Sequence, residues 1–502
     1  MDKGLNARLD LNTRVLILGL AREGTALARF LAEHGARVTV TDAKPAEVLA
    51  DQVTALAGLP ISFALGGHPF DLLDDVDILF VSPGVALEIP FLVEARRRGL
   101  PLSSETRLFT RLCPAPVVGV TGSSGKSTTS ALVGEILESA GWRTWVGGNI
   151  GRPLIGYLPE IAPADLVVME LSSFQLEFFG PWPGTPLGGD SAGPIGALFD
   201  PSGWSPPIAT MLNITPNHLD RHGTMEAYIA AKTRILAYQR PGDVAVLNLD
   251  NPITRELGVG LGSRGRQVLW FSLEALTGEG VFLRGDELVL RLAGDEQVIC
   301  RTADLKLLGR HNLANVLAAC ALAASVHLAC QPSTESVVPL VQILSQTVTA
   351  FRGVEHRLEL VRDRHGIRWY NDSIATSPER TVAALRSFET PIVLLAGGRD
   401  KHLPWAEMAD LTWRKVRCLI LFGEAADLIE RAVQAAQEMA PDKGHPTCIY
   451  HAGTLPRAVE CAAELAKAGD TVLLSPGGTS FDAYRDFVAR GEHFRKLVQA
   501  LE

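Results

Sequence analysis

The residues best placed to do chemistry are Gly122-Ser123-Ser124-Gly125-Lys126-Ser127-Thr128, which follow an apolar run and open a segment with helical periodicity. A glycine-rich turn between strand and helix can wrap its amide N–H groups around phosphates. Lys126 can then reach the terminal phosphates, and the Ser127 hydroxyl can ligate Mg2+. The strict eight-residue spacing would place its first glycine at Val120, whereas glycine stands at Gly119. A nucleotide-bound metal needs a carboxylate, and Asp165-Leu-Val-Val-Met-Glu170 supplies one at the end of an apolar strand. His218, Asp220 and His222 alternate in Pro216-Asn-His-Leu-Asp-Arg-His, a set that could bind a transition metal or simply cap a turn. Lys232, in the helix expected over 225–238, reads by itself as part of a solvated face.

These groups need elements to hold them. Arg14-Val-Leu-Ile-Leu-Gly-Leu, Arg37-Val-Thr-Val-Thr-Asp42 and Val76-Asp-Ile-Leu-Phe-Val-Ser82 read as strands alternating with helices, which predicts a doubly wound parallel sheet with ligands at the strands' carboxyl ends. The first turn, Gly19-x-Ala21-x-x-Gly24, lacks the middle glycine of the dinucleotide fingerprint. A NAD site, a mononucleotide or sugar-nucleotide site, and a turn that merely packs all stay open. A proline-rich linker at 112–116 and a fresh strand–helix alternation after Phe351 mark two boundaries. With 502 residues, about three domains are expected. The reading is α/β throughout: a Rossmann-like domain over 1–113, a P-loop domain over 114–352, and a second Rossmann-like domain over 353–502. The Gly/Pro-rich stretch 180–207 reads as a surface insertion, and the alanine-rich run 316–326 as a buried helix.

Charged side chains give a formal net charge of −9, which argues against a broad nucleic-acid or membrane-binding surface and leaves local anion sites possible. Seven cysteines without a CxxC pair fit a reducing compartment. The first residues lack the apolar core of a secretion signal, and no run approaches the roughly 18 apolar residues that span a bilayer. A cytoplasmic protein acting as a monomer is expected.

Taken in order, Val118-Gly-Val-Thr-Gly-Ser-Ser-Gly-Lys-Ser-Thr-Thr, Gly147-Gly-Asn149-Ile-Gly, Glu170-Leu-Ser-Ser-Phe-Gln-Leu-Glu, Asn213-Ile-Thr-Pro-Asn-His218-Leu-Asp-Arg-His and Gly309-Arg-His-Asn312-Leu-Ala-Asn315 resemble the Mur ligase family, nearest to its glutamate-adding branch. The resemblance implies an ATP-dependent amide ligase of peptidoglycan precursor synthesis, joining D-glutamate to UDP-N-acetylmuramoyl-L-alanine. It implies ATP phosphates on Gly122 to Thr128, with Asn312, Asn315, Arg357 and Asp372 also on the nucleotide. Two Mg2+ ions would be held by Ser127, Glu170, His218 and a carbamylated Lys232, and Lys126, Glu170, His218 and Lys232 would carry the catalysis. Arg22, Glu23, Asp42, Ser82, Asn149 and His218 would meet the UDP substrate. Thr376, Lys401, Ser480 and Phe487 would receive the amino acid. Two motifs depart from the family pattern. Asp372-Ser-Ile374-Ala-Thr376-Ser377 stands where Asp-Ser-Lys-Ala-Thr-Asn is usual, and Ser475-Pro-Gly-Gly-Thr-Ser480 where Ser-Pro-Ala-Cys-Ala-Ser is common. L-glutamate or another amino acid, or a ligase like folylpolyglutamate synthase, remain alternatives on this reading; a P-loop switch and a dehydrogenase are more distant ones.

Overall fold

The computed structural model describes residues 13–151, 153–181, 198–199, 202–274, 278–307, 309–330, 339–388, 390–401, 403–441, 444 and 448–501. The chain forms two compact units, Met1–Leu305 with His311–Thr349, and Lys306–Arg310 with Ala350–Glu502. The first unit holds two sheets and the second holds one.

The first sheet is built from β1 (Arg14–Leu18), β2 (Arg37–Asp42), β3 (Ile61–Leu65), β4 (Ile78–Val81) and β5 (Leu102–Ser103), in the order β3-β2-β1-β4-β5 and parallel throughout. Its central strands read as continuous apolar runs because helices cover both faces; four of the five β1 residues are buried. Strand order reverses between β1 and β4, so the loops leaving them part and open a crevice at their carboxyl ends.

The second sheet contains β6 (Val117–Thr121), β7 (Thr144–Gly148), β8 (Leu166–Glu170), β9 (Ile208–Met211), β10 (Val244–Asn248), β11 (Gln267–Ser272), β12 (Gly280–Arg284), β13 (Glu287–Leu292) and β14 (Asp295–Arg301). Their order is β14-β13-β12-β11-β10-β9-β6-β8-β7, parallel except for the β12–β13–β14 meander at one edge. β6 lies between β8 and β9, so the P-loop leaving β6 sits beside the ends of both. Gly119, mid-strand in β6, is not a phosphate-loop glycine: a Cβ there would lie 2.5 Å from Pro206 Cγ. That contact accounts for the shifted glycine spacing.

Helix Arg310–Ala329 is long and apolar enough to cross a membrane, the one such helix among the described residues, yet every residue from Asn315 to Val326 is buried in the unit's interior. The insertion expected over 180–207 lies outside the described residues at 182–197 and 200–201. Its described end is packed rather than open: Trp204 meets Phe179 edge-on at 5.4 Å, and Ser205 is buried.

The third sheet, in the second unit, comprises β15 (Glu359–Arg364), β16 (Ile367–Asn371), β17 (Ile392–Gly397), β18 (Val416–Phe422), β19 (Cys448–Gly453) and β20 (Thr471–Gly477), ordered β15-β16-β20-β17-β18-β19. Only the β15–β16 pair is antiparallel. Aliphatic clusters from β17, β18 and β20 fill both faces of this sheet, and the loops after β16, β17 and β20 gather at one end.

Candidate active site

The P-loop is anchored by its neighbours. Gly125 has φ +84°, a left-handed conformation that favours glycine, and a Cβ there would sit 2.2 Å from Asn315 Oδ1. Asn315 in turn donates to Asn312 Oδ1 at 3.2 Å, so both asparagines lie at the start of helix Arg310–Ala329 and one of them abuts the loop. Asn213, after β9, accepts from Ser124 N at 2.9 Å, and the Ser123 hydroxyl bonds Thr215 O and Tyr228 Oη. Lys126 opens helix Lys126–Ser139 and folds back to donate to Gly122 O at 3.0 Å and Ser123 O at 3.3 Å. Ser127 and Thr128 are buried in the same first turn.

Around this loop the sheet and a helix after β9 place Glu170 and Lys232. Glu170, the last residue of β8, is 1% exposed; its Oε1 accepts from Asn149 Nδ2 at 2.8 Å, and its Oε2 is buried without a hydrogen-bond partner. A buried lone carboxylate oxygen beside a phosphate loop is suited to a cation. Lys232 is 2% exposed, which corrects its reading as a solvated face. Helix Met225–Ala237 carries alanines on several sides and turns this lysine inward to donate to Gly122 O at 2.9 Å and Thr121 Oγ1 at 3.3 Å. Burial, and then the Lys126 ammonium, push the Lys232 amine well below the usual lysine range, with Glu170 opposing them. A lysine so placed loses its proton more readily than an exposed one.

His218 adopts a left-handed backbone at φ +54°, just before helix Leu219–His222. Its ring lies 5.1 Å from that of Phe174, whose other neighbours are the stacked His222 ring at 5.3 Å and the Arg221 guanidinium at 4.6 Å. The second histidine is therefore no simple turn residue. His222 Nε2 bonds Ser173 Oγ at 2.9 Å, and its Nδ1 lies 3.4 Å from Glu177. Sequence reasoning gave Ser173, Phe174 and Glu177 no role. No local spacing announces this cluster, because His218 stands outside the helix and Phe174 lies 44 positions before it.

At the first sheet's switch point, a cavity of about 480 Å3 is walled by Gly19, Asp42, His68, Val85 and Phe91 among others. Asp42 accepts from Leu20 N at 2.7 Å and Lys44 N at 2.9 Å, and Ser82 Oγ donates to Gly19 O at 2.9 Å, fixing both loops of the crevice. Arg22 and Glu23 face elsewhere. Arg22 donates to Gly151 O and Asn149 O, joining the first sheet's domain to the loop after β7. Arg221 makes the converse join, donating to Gly84 O and Val85 O.

Glu23 lines a small void together with Glu105 and Ser82. Glu23 Oε1 accepts from Gln175 Nε2 at 2.9 Å and Glu105 Oε1 from Ile155 N at 3.3 Å. Burial raises both carboxyls far above the ordinary range. Glu23 adds to the rise at Glu105, while Arg22 lowers both without compensating. Acids raised in this way stabilise the fold fully below the unfolded value, and the contribution drains as pH climbs through the folded value. Denaturation at pH 5 and pH 8 is expected to show the protein losing on the order of 2–4 kcal/mol of stability across that interval. Glu105→Gln should flatten the profile, and an unchanged slope would refute the assignment.

In the second unit, Asp372 opens the loop after β16 and is buried, accepting from Ser475 Oγ at 2.8 Å and Leu358 N at 3.2 Å. Burial pushes it up to about 7, against the opposing pull of Ser475, Arg357, Leu358 N and Arg380. Lys401 Nζ lies 3.5 Å from Thr376 Oγ1, Ser480 is buried beyond β20, and Phe487 opens helix Phe487–Ala500, its carbonyl accepting from Ser373 Oγ.

Comparison with known proteins matches this arrangement segment by segment. Residues 13–104 match the Mur ligase MurD-like N-terminal domain, 200–323 the Mur ligase middle domain, and 356–478 the Mur ligase glutamate ligase domain. A UDP-N-acetylmuramoylalanine–D-glutamate ligase of Symbiobacterium thermophilum is 42% identical over 99% of this chain and 100% of its own. This chain belongs to the Mur ligase family. A Roseiflexus relative of the same name is 41% identical over 97% of this chain and 98% of its own. The fold of this Mur ligase also matches solved structures of low identity. UDP-N-acetylmuramate-alanine ligase MurC from Thermotoga maritima aligns with TM-score 0.53 at 18% identity, covering 97% of this chain and 99% of that one. MurF from Acinetobacter baumannii aligns with TM-score 0.53 at 15% identity, covering 96% and 94%.

Proposed function

We propose that this Mur ligase joins D-glutamate to UDP-N-acetylmuramoyl-L-alanine at the expense of ATP, in the cytoplasm, as a step of peptidoglycan precursor synthesis. The observation that carries the reading is the constellation at the end of β6 and β8: Lys126 on the P-loop, the half-bonded Glu170, and Lys232 buried in a site that disfavours its charge. Relatives at 36–42% identity over nearly the whole chain bear the D-glutamate ligase name, which supports this substrate over L-glutamate or a folate.

A carboxylate is a poor electrophile, so its oxygen first takes the γ-phosphoryl group of ATP, releasing ADP. The amine of the amino acid then attacks the acyl carbon, loses a proton, and expels inorganic phosphate. Lys126 and the loop N–H groups would hold the phosphates in line and offset their charge against the approaching carboxylate. Ser127, Glu170, His218 and a carbamylated Lys232 would hold Mg2+, which when bound neutralises phosphate charge. The free oxygen of Glu170 and the buried Ser127 hydroxyl fit that role. A neutral Lys232 amine can add to CO2, forming an N–C bond and releasing one proton, so that a cation becomes a carboxylate-like anion. Asn149 and His218 would face the muramoyl end, and Asp42 and Ser82 the nucleotide crevice. Residues 1–113 would thus serve the UDP substrate, 114–352 ATP, and 353–502 the amino acid, with Arg357 and Asp372 contributing to ATP.

Phosphate release from ATP with UDP-N-acetylmuramoyl-L-alanine tests this directly. D-glutamate should drive turnover well above L-glutamate or D-aspartate. Equal or faster turnover with L-glutamate would overturn the substrate assignment.

A further inference from the structure

The turn that carries His218 has little of its own to hold it. Helix Leu219–His222 is a single turn, too short to persist by itself, and its apolar residue, Leu219, is 37% exposed. His218 before it has φ +54° and Gly223 after it φ +76°. A residue with a Cβ stays in that region only where contacts fix it. Two side chains of the turn supply those contacts. His222 is buried against Ser173 and Glu177, and Arg221 lays its guanidinium over the Phe174 ring at 4.6 Å. The same ring stands 5.1 Å from that of His218.

Arg221 also reaches the first sheet. Its Nη1 and Nη2 donate to Gly84 O at 3.3 Å and Val85 O at 2.6 Å, on the loop after β4. Val85 walls the crevice of that sheet. Val85 N donates to Ser82 O, and Ser82 Oγ to Gly19 O, both at 2.9 Å, so the gripped loop is fixed to the glycine turn facing it. A planar guanidinium can stack with its face while its edge donates. One side chain therefore touches a wall of the crevice and the ring beside His218, and a shift of the crevice loop carries the cover of Phe174 with it.

We propose that Arg221 is a positioning residue that seats His218 from the crevice loop, so that filling the crevice and placing His218 for the reaction are one event. This rests on the ligase reading above, in which the crevice takes the UDP end of the substrate and His218 meets its reacting end. Arg221 touches neither; it acts through Val85 on one side and Phe174 on the other.

The test uses the full-length enzyme with its histidines labelled at 13Cε1 and free UDP as the probe, which fills the crevice without supplying an acceptor carboxylate. His68, a crevice wall, reports the filling. His218 reports its place against the Phe174 ring through the ring current. His68→Gln and His218→Gln assign the two resonances. In the wild type UDP is expected to shift both, and in Arg221→Ala that of His68 alone. Steady-state kinetics should agree: Arg221→Ala lowers kcat about 100-fold, as for a reacting group displaced by about an ångström, with KM for ATP within about twofold. Arg221→Lys keeps the charge without the flat fork and should leave kcat within about threefold of Arg221→Ala. Should Arg221→Ala fail to fold, Phe174→Leu removes the ring while leaving the grip on Gly84 and Val85, and the same loss of kcat is expected there. A His218 resonance that moves with UDP in Arg221→Ala as it does in the wild type, one that stays still in the wild type while His68 moves, or an unchanged kcat in either folded variant would overturn the proposal. A His68 resonance indifferent to UDP would instead bring down the assignment of the crevice to UDP, and with it that part of the ligase reading.

Discussion

Lys126→Ala is expected to reduce ATP-dependent phosphate release about 10^3-fold or more. The ammonium donates to Gly122 O and Ser123 O, and reaching a bound phosphate would draw it off those carbonyls. Its loss therefore removes both the charge that meets the terminal phosphates and the restraint that keeps the loop closed upon itself. The fold should survive, because the loop is also anchored by Asn213, Thr215 and the packing of Gly125 on Asn315. A folded Lys126→Ala protein that still releases phosphate at the wild-type rate with the UDP substrate would show that ATP is handled elsewhere.

The second large effect concerns Lys232. Its amine sits among Thr121, Gly122 and the Tyr228 ring, 5.0 Å from the ring centre, in a place that disfavours charge. Incubation with 13C-labelled bicarbonate is expected to give a carbamate carbonyl resonance in the wild-type protein that is absent from Lys232→Ala. Activity of that variant should fall by roughly 10^3-fold, since the site would lose an anion rather than a cation. Lys232→Arg should be equally impaired, because a guanidinium stays protonated and cannot add CO2. An active enzyme whose Lys232 stays unmodified under saturating CO2 would remove the carbamate from the mechanism.

What the sequence made legible was local. The P-loop, the strand ending at Glu170 and the turn at Gly19 each depend on residues a few positions apart, and each stands where spacing placed it. What it hid depends on packing between distant segments. Little in Met225–Ala237 marks Lys232 as buried: Ala231 precedes it and Thr233 follows it, and Tyr228 and Ile235, which share its buried side, stand four before and three after. Glu23 faces Glu105 and Gln175, 82 and 152 positions further along the chain, and no pattern in any one of them announces it. Arg490 stands in helix Phe487–Ala500 with no local signal of burial. Its burial follows from Gly478, where a Cβ would lie 2.5 Å from Gly397 O, so the backbones close around a guanidinium.

The two arginines that join the first two sheets have a consequence for how such a chain can change over generations. Arg22 and Arg221 each grip main-chain carbonyls of the opposite domain, at Asn149 and Gly151 and at Gly84 and Val85. Every residue type offers a carbonyl, so the gripped positions can drift or exchange side chains without loosening the grip. The burden of keeping the two sheets registered falls on one codon at each contact, leaving the walls of the crevice free to be retuned while their spacing is inherited intact.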